Sequence, residues 1–382
     1  MLKAVIFDMD GVLIDSEPLH YEANRILLLN KFNIELKYEY YKQFIGSTVK
    51  YLWEKMKNDF GIDGYTAEEL KLMADEIKEE LIDTDGYEQI EGVAEFVCGL
   101  SDHYKLAVAS SSYLKNIKRN MDNLGITDEF EQLVSGTEVE NPKPSPDIFL
   151  EAAKRLGVKP CECLVIEDSK NGVLAAKNAG MACLGFINPN SGNQDLSKAD
   201  YLFESYEGID ENFLHMVHAH CFDEPYIALD TDRLNLREMQ KEDAKDPVCK
   251  ELIKEALNLE NITDTDLEKY IIDYRNNSYK FLGFGLWVAQ LKESDEVIGI
   301  VGIDRKVNGD FELGYFIEEN HRRQGYAYEA SAEIMDYIRD FGLDSVNITV
   351  KKENVASIRL AEKLMFDEFY SNDEYIFMDK KV

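Results

Sequence analysis

A short apolar run near the start of the chain ends in two acidic residues. Ala4–Phe7 is uniformly apolar, and Asp8, Asp10 and Gly11 follow it. Four consecutive apolar residues predict a short buried strand. Because side chains alternate along a strand, positions 8 and 10 point the same way. The pattern predicts either a cation or acid–base site at the carboxyl end of a sheet, or an acidic turn that is exposed to solvent.

Length and charge limit the classes of protein to which the chain can belong. At 382 residues it exceeds the size at which one hydrophobic core usually keeps growing, so we expect at least two domains. A net charge of −32 argues against nucleic acid or an anionic membrane as partner. The six cysteines form no CxxC pair, and no segment has a signal-peptide or membrane-span pattern. We therefore expect a cytoplasmic protein that binds neither nucleic acid nor membranes.

Residues from about 16 to 86 have the spacing of helices. Apolar residues recur at helical intervals over 19–32, 51–60 and 67–82, with Gly46, Gly61 and Gly64 between them. Since this insertion directly follows the acidic strand end, it is placed to close over a site there as a lid. The alternative is a helical bundle that takes no part in catalysis.

From Gly92 onward, strand patterns alternate with helix patterns. The strand patterns cover 105–109, 130–135, 163–166 and 182–187. Strands that alternate with crossover helices predict an α/β fold with a doubly wound parallel sheet. Serines follow the first of these strands, and Glu167 and Asp168 end the third. The recurrence of polar strand ends favours a ligand site at that edge of the sheet.

Four motifs in order resemble those of a known superfamily. They are Asp8-x-Asp10-Gly11, Ser110 after a strand, Lys143 before a proline, and Glu167-Asp168 after a strand. Residues 1–215 thereby resemble the haloacid dehalogenase-like phosphohydrolases, a Rossmann-like fold. The helical cap at 16–86 is similar to that of the β-phosphoglucomutase and sugar-phosphatase branch.

The resemblance implies a phosphatase that acts through an aspartyl-phosphate. Asp8 would attack the phosphorus, and Asp10 would protonate the leaving oxygen and then help to activate water. Mg²⁺ would be bound by Asp8, the backbone carbonyl of Asp10 and Asp168, with Glu167 in support.

The resemblance also implies how the phosphoryl group is held. Ser110, Ser111 and Lys143 would bind its oxygens, and Lys143 would offset charge as well. The alternatives are a serine that caps a helix at position 110 and a solvated loop lysine at position 143.

Two cap residues bear on the choice between phosphatase and phosphomutase. His20 stands where the mutase branch has a histidine that assists Asp10, although it is equally compatible with a structural role at the cap hinge. Val49 stands where mutases have an arginine for the second phosphate, and Lys50 replaces that arginine only if the loop shifts. We therefore expect a phosphatase of a small phosphorylated metabolite, with a β-phosphoglucomutase-like phosphomutase as the alternative.

The second half of the chain has a different pattern. Residues 216–228 fit neither pattern and are predicted to be a linker, and a new domain is predicted over 229–382. Strand patterns at 232–237, 286–290, 297–303 and Phe311–Ile317 flank helical stretches at 244–257 and 267–276. The turn at 307–310 is typical of a hairpin, so the sheet is expected to be largely antiparallel, in an α+β domain.

A basic, glycine-bearing loop precedes the last long helix pattern, at 328–341. Its sequence is Arg322-Arg323-Gln324-Gly325-Tyr326-Ala327. Such a loop can turn backbone N–H groups toward a phosphate, and the arginines would attract a pyrophosphate. A basic surface turn is the alternative.

Residues 229–382 resemble the GNAT acetyltransferases, in the branch that acetylates ribosomal-protein N-termini and small amines. Arg322-x-x-Gly325-x-Ala327 is similar to the loop that binds the pyrophosphate of acetyl-CoA. The backbone of Phe316 and Ile317 would pair with the pantetheine arm. Asn354 would bond the cofactor or cap a helix, and Met365 replaces a glycine that is usual in the family.

This resemblance implies direct acetyl transfer to an amine, on a small molecule or a peptide N-terminus. Glu312 is the candidate base, unless it is an ordinary exposed strand residue. We therefore expect a bifunctional enzyme. The alternative for this half is an acetyl-CoA-binding regulatory domain that has lost turnover.

Overall fold

The computed structural model describes residues 1–45, 47–259, 261–306 and 308–382. These form two compact units that divide between Glu224 and Pro225. The segment at 216–228, predicted as a linker, instead lies mostly in regular structure: a helix over Glu211–Phe222 and a strand over Ile227–Asp230. The helix forms because Asp210 caps its first turn and Leu214 and Val217 pack into the core of the first unit.

The first unit alternates strands and helices as the sequence predicts. In chain order its elements are β1 (Ala4–Phe7), β2 (Ile14–Asp15), α1 (Glu17–Phe32), α2 (Tyr38–Tyr41), α3 (Val49–Phe60), α4 (Ala67–Asp85), β3 (Glu88–Gln89), α5 (Val93–Ser101), β4 (Lys105–Ser110), α6 (Leu114–Leu124), β5 (Gln132–Ser135), α7 (Asp147–Leu156), β6 (Cys163–Glu167), α8 (Lys170–Asn178), β7 (Ala182–Phe186), β8 (Tyr201–Phe203) and α9 (Glu211–Phe222).

Six of these strands form one parallel sheet in the order β5-β4-β1-β6-β7-β8. The central strand β1 is buried on both faces. Its Val5 and Phe7 pack into one hydrophobic cluster, and Ala4 and Ile6 into another on the opposite side. Helices therefore cover both faces, and the predicted doubly wound α/β fold is confirmed.

The predicted helical insertion forms a cap made of α1 to α4. Its core is built on Leu28, Trp53, Met56 and Leu70, which are almost completely buried. Strands β2 and β3 pair in an antiparallel ribbon where the chain leaves and re-enters the sheet domain. Gly46 lies outside the described residues.

The second unit is built on one mixed sheet. Its elements are β9 (Ile227–Asp230), β10 (Leu234–Arg237), α10 (Pro247–Leu257), α11 (Asp264–Tyr274), α12 (Lys280–Leu282), β11 (Leu286–Leu291), β12 (Val297–Arg305), β13 (Phe311–Ile317), α13 (Tyr326–Tyr337), β14 (Ser345–Lys351), α14 (Val355–Lys363), β15 (Asp367–Ser371) and β16 (Tyr375–Lys381).

This sheet has the order β15-β16-β14-β13-β12-β11-β10-β9. Its strand pairs are antiparallel except for β13 with β14. β12 and β13 are joined by the predicted hairpin, of which Val307 lies outside the described residues. The predicted α+β class is confirmed. Among the described residues, no helix combines the length and the apolar character needed to cross a bilayer.

Candidate active sites

The carboxyl ends of three neighbouring strands in the first unit form the floor of a cavity. Asp8 directly follows β1, and Ser110 and Glu167 are the last residues of β4 and β6. The cavity has a volume of about 250 Å³, and Asp8, Asp10 and Lys143 line it. The topology therefore brings together groups that are far apart in the sequence, from Asp8 to Glu167.

Lys143 is buried at the centre of this cavity. Its Nζ lies 2.5 Å from Asp8 Oδ1 and 2.7 Å from Glu167 Oε1, and its side chain is 7% exposed. Burial lowers the pKa of Lys143, but the two carboxylates outweigh this and hold the pKa above its ordinary value. Lys143 is thus a charged group of the site and does not behave as a solvated loop lysine.

The serines after β4 contact Asp10. Ser110 is fully buried, and its hydroxyl donates to Asp10 Oδ2 over 3.3 Å. Ser112 donates to the same oxygen over 3.2 Å. Ser111 is exposed and lines the cavity. The structure therefore brings all three hydroxyl-bearing residues to the site, and the sequence analysis missed Ser112 although it belongs to the same run.

The second unit has an open sheet edge beside a helix N-terminus. Across the described strands β13 and β14, the register contains the single pair Glu312 with Asn347. On its other side, β13 pairs with β12 at every residue from Phe311 to Ile317. The edge of β13 that faces β14 is thus unpaired with it near Phe316 and Ile317, and the Ile317 carbonyl there accepts from Arg322 Nε.

The basic loop leads from this edge into α13. Gly325 precedes the helix with φ 91°, and no side chain caps the helix. Arg322 Nε donates to the carbonyl of Ile317 over 2.7 Å, which ties the loop to the end of β13. Arg323 takes φ 63° and is exposed. Gln324 donates to Asn320 O over 3.0 Å. The first N–H groups of an α-helix have no partner within the helix, and helix N-termini of this kind attract anions. Binding of a pyrophosphate at this loop stays a prediction.

Comparison with known proteins assigns both units. Residues 5–186 match the haloacid dehalogenase-like hydrolase family. A phosphorylated carbohydrates phosphatase of Thermotoga maritima is 33% identical over 187 residues, which cover 47% of this chain and 82% of that protein. The chain belongs to the haloacid dehalogenase-like hydrolase family. Residues 233–367 match the acetyltransferase (GNAT) domain, so the chain carries a hydrolase and an N-acetyltransferase domain.

Other relatives of the haloacid dehalogenase-like unit include a phosphomutase. β-Phosphoglucomutase of Bacillus subtilis (strain 168) is 32% identical over 208 residues, which cover 48% of this chain and 83% of that protein. The crystal structure of β-phosphoglucomutase from Clostridium difficile is 26% identical with a TM-score of 0.47, and covers 59% of this chain and all of that one (100%). The relative from Bacillus subtilis confirms the predicted resemblance to this branch.

Negative charge accumulates around the haloacid dehalogenase-like site. Burial raises the pKa of Asp8 well above its ordinary value; Lys143 opposes this, whereas Glu167, Asp168 and Asp10 add to it. Burial, and then the charge of Glu167, raise the pKa of Asp168 to about 7. The surplus of carboxylates over cations is the donor chemistry that a hard divalent cation satisfies.

Two glycines make room for these carboxylates. A Cβ on Gly11, which has φ 81°, would lie 2.0 Å from Asp168 Oδ2. A Cβ on Gly172, in the first turn of α8, would lie 1.6 Å from Glu167 Oε1. Ser191, after β7, donates its hydroxyl to Asp168. The sequence analysis missed Gly172 and Ser191, because their roles depend on contacts between segments that no local pattern indicates.

The structure places His20 on α1 of the cap. It lines a separate cavity of about 130 Å³ together with Glu17, Asn24 and Tyr41. Burial, with a smaller effect of Lys78, lowers the pKa of His20 to about 3, so the imidazole is neutral at physiological pH. Glu17 and Ile45 line both cavities, so the two sites adjoin through these residues.

Neither residue 49 nor residue 50 places a cation in the cap cavity that His20 lines. Thr48 caps α3, and Val49 lines the cap cavity. Lys50 is 77% exposed, and its Nζ lies 3.9 Å from Glu54.

Two candidate residues of the GNAT unit are now placed. Glu312 is half-buried, accepts a hydrogen bond from Thr349 Oγ1 over 3.3 Å, and is not an ordinary exposed strand residue. Burial raises the pKa of Glu312, and Lys306 opposes the rise.

Asn354 caps α14 by accepting a hydrogen bond from the N–H of Ser357 over 3.1 Å, which is the alternative role predicted for this residue. Met365 has φ 65°, the backbone region that favours the family's glycine.

Proposed function

We propose that the first unit is a Mg²⁺-dependent phosphatase of a small phosphorylated metabolite, acting through an aspartyl-phosphate. The observation that carries the proposal is the contact between the Asp8 carboxylate and the buried ammonium of Lys143, 2.5 Å apart, at the carboxyl end of the central strand. It supports the approach of a phosphate to a carboxylate, because the cation offsets the charge of both anions. The phosphatase relative from Thermotoga maritima supports the same reaction class.

In the proposed reaction an oxygen of Asp8 forms a bond to phosphorus while the bond from phosphorus to the ester oxygen breaks. Asp10 gives its proton to that departing oxygen. In the second half, Asp10 takes a proton from water, which attacks phosphorus and releases Asp8 and inorganic phosphate. Lys143, Ser110 and Ser111 hold the phosphoryl oxygens throughout.

The carboxylate set fits Mg²⁺ by charge. Among the described residues, no group of three or more His, Cys, Asp or Glu side chains is arranged to hold a metal ion. The proposed ligands are two such side chains, Asp8 and Asp168, with the backbone carbonyl of Asp10, and Glu167 in support. Bound there, Mg²⁺ would neutralise charge on the phosphoryl group.

Phosphatase chemistry is proposed ahead of phosphomutase chemistry because of the cap. A mutase must bind a second phosphate, and Val49 and Lys50 offer no cation to the cap cavity. Lys71 lines that cavity, but Glu68 lies 3.7 Å from it and offsets its charge. Phosphomutase remains the second candidate, since the Bacillus subtilis relative is a β-phosphoglucomutase.

We propose that the second unit transfers the acetyl group of acetyl-CoA to an amine. The open edge of β13 would pair with the pantetheine arm, and the 322–327 loop would bind the pyrophosphate. Glu312, at the point where β13 and β14 pair, would take the proton of the attacking ammonium, directly or through water.

The phosphatase proposal is tested by phosphate release from a panel of phosphorylated metabolites with Mg²⁺. We expect release by the wild type, loss on chelation of Mg²⁺, and loss in Asp8→Asn. Conversion of β-glucose 1-phosphate to the 6-phosphate, dependent on a bisphosphate activator, without phosphate release, would instead establish the mutase.

The acetyltransferase proposal is tested with acetyl-CoA and a panel of amines and peptides with free N-termini. We expect free CoA to form only with an acceptor present, and Glu312→Gln to slow it. Acetyl-CoA binding without transfer to any amine would favour a regulatory domain.

A further inference from the structure

Two serine hydroxyls donate hydrogen bonds to Asp10, and only one of them is proposed to bind the phosphoryl group. Ser110 and Ser112 both donate to Asp10 Oδ2, over 3.3 and 3.2 Å. A serine hydroxyl has one proton, so it can serve one acceptor at a time. If Ser110 donates to a phosphoryl oxygen, as proposed above, it must release Asp10, and Ser112 then remains as the donor.

Ser112 is fixed by contacts that do not involve substrate. Its backbone N–H donates to Ser110 Oγ over 3.1 Å. Its carbonyl accepts from Ser135 Oγ over 2.7 Å, at the end of the neighbouring strand β5. Helix α6 begins two residues later, at Leu114. Because the N–H and the carbonyl of Ser112 are both hydrogen-bonded within the protein, the backbone holds its hydroxyl in position to donate to Asp10.

We infer that Ser112 is the positioning residue that keeps the Asp10 carboxyl directed at the leaving-group oxygen while Ser110 serves the phosphate. The inference rests on the proposed phosphatase. It makes Ser112 act through Asp10, and therefore on the proton transfer that accompanies cleavage of the ester bond. It assigns Ser112 no contact with the phosphoryl group.

If Ser112 acts only through Asp10, the effect of removing its hydroxyl should depend on how much the leaving group needs a proton. Phenyl phosphate and 4-nitrophenyl phosphate have similar shapes, but nitrophenolate departs readily without a proton, whereas phenolate benefits from one. Loss of the hydrogen bond in Ser112→Ala should lower kcat/KM for phenyl phosphate about tenfold and change kcat/KM for 4-nitrophenyl phosphate less than about threefold. The ratio kcat/KM is the quantity to compare, because it reports cleavage of the ester and not the later hydrolysis, in which Asp10 also acts and which is common to both esters. Ser110→Ala should impair both esters, because both present the same phosphoryl group.

Three further variants separate positioning from folding. Ser112→Thr keeps a hydroxyl and should restore the rate on phenyl phosphate. Ser101→Ala, at the last residue of α5, where the hydroxyl donates to the local carbonyl of Cys98 over 3.0 Å, serves as the remote serine control. In an Asp10→Asn background, Ser112→Ala should add no further loss, because the two changes remove the same step.

Two results for Ser112→Ala would overturn the inference while leaving the phosphatase intact. They are equal losses of kcat/KM on the two esters, and an undiminished kcat/KM on phenyl phosphate. Failure of the wild type to hydrolyse either ester with Mg²⁺ would contradict the phosphatase and this inference together.

Discussion

The Asp8 carboxylate is buried among Asp10, Glu167 and Asp168, and Lys143 is the cation that contacts it. Removing a carboxylate from water costs free energy, and like charges nearby add to that cost. Its raised pKa means that Lys143 does not fully compensate. The arrangement favours a nucleophile that is ready for a cation and a phosphate, at the expense of the ligand-free fold.

Asp8→Asn should therefore stabilise the first unit while abolishing phosphate release. The folded pKa of Asp8 lies above its ordinary value of 3.8, so its ionisation at neutral pH favours the unfolded chain. Removing the charge should raise the melting temperature by about 2 °C or more, measured by calorimetry in EDTA. A lower melting temperature would mean that the ion pair with Lys143 outweighs desolvation.

Gly172 offers a second residue-scale test, with a matched control in the same unit. In Gly172→Ala the new methyl group would collide with Glu167 Oε1, 1.6 Å away, and shift the partner of Lys143. We expect a loss of stability of about 2 kcal/mol and at least a tenfold fall in kcat/KM.

The control for that variant is Gly99→Ala, in the exposed part of α5, where a Cβ has nothing within 4 Å. It should stabilise the helix by about 0.5 to 1 kcal/mol and leave kcat unchanged. Urea denaturation measures both variants. Equal, small effects would show that Glu167 can move at little cost.

At the scale of secondary structure, the prediction from sequence succeeded where the cause is local. The apolar run Ala4–Phe7 and the alternation after Gly92 predicted the parallel sheet, because each element buries its own apolar residues. The prediction failed at α9, whose His218 and His220 gave it a polar character although both are buried. Burial there depends on packing against distant segments.

The sites show the same limit. Asp8 and Glu167 reach one cavity, as predicted, because the carboxyl ends of neighbouring parallel strands meet at one edge of the sheet. Lys143 follows no strand directly, and the motif resemblance placed it there. The acceptor of the Ser112 hydroxyl was not predictable, since it depends on how two loops approach. The open edge of β13 was implied by the family resemblance and not by any local pattern, because it follows from the register with β14, which begins only at Ser345.

Strand β13 carries a testable pH dependence. Glu312 must be ionised to accept a proton, and burial raises its pKa above the ordinary 4.5. The kcat/KM of acetyl transfer should thus fall on the acid side at a higher pH than an exposed carboxylate would cause. Glu312→Gln should lower kcat about a hundredfold and remove this limb, leaving the ionisation of the amine substrate.

Thr349→Val provides the control for that profile. The hydroxyl of Thr349 donates to Glu312 and lowers its pKa, so its removal should move the acid limb to still higher pH. If the acid limb of the kcat/KM profile were unchanged in both Glu312→Gln and Thr349→Val, Glu312 would be excluded as the base.

At the scale of the whole molecule, each hydrophobic core belongs to one unit. The clusters around Phe7, Phe149 and Trp53 are made of residues before Glu224, and the cluster around Trp287 of residues after Pro225. Since cooperative unfolding follows the packed core, we expect the full-length chain to unfold in two transitions during calorimetry.

Ligands should move these transitions separately. CoA should raise only the transition of the second unit, and Mg²⁺ with inorganic phosphate only that of the first, each by about 2.7 kcal/mol at a hundredfold excess over Kd. Gly99→Ala, which alters only α5, identifies the transition of the first unit without any ligand. A single transition that responds to both ligands would show that the two cores unfold as one cooperative body, and binding at either site would then stabilise the other.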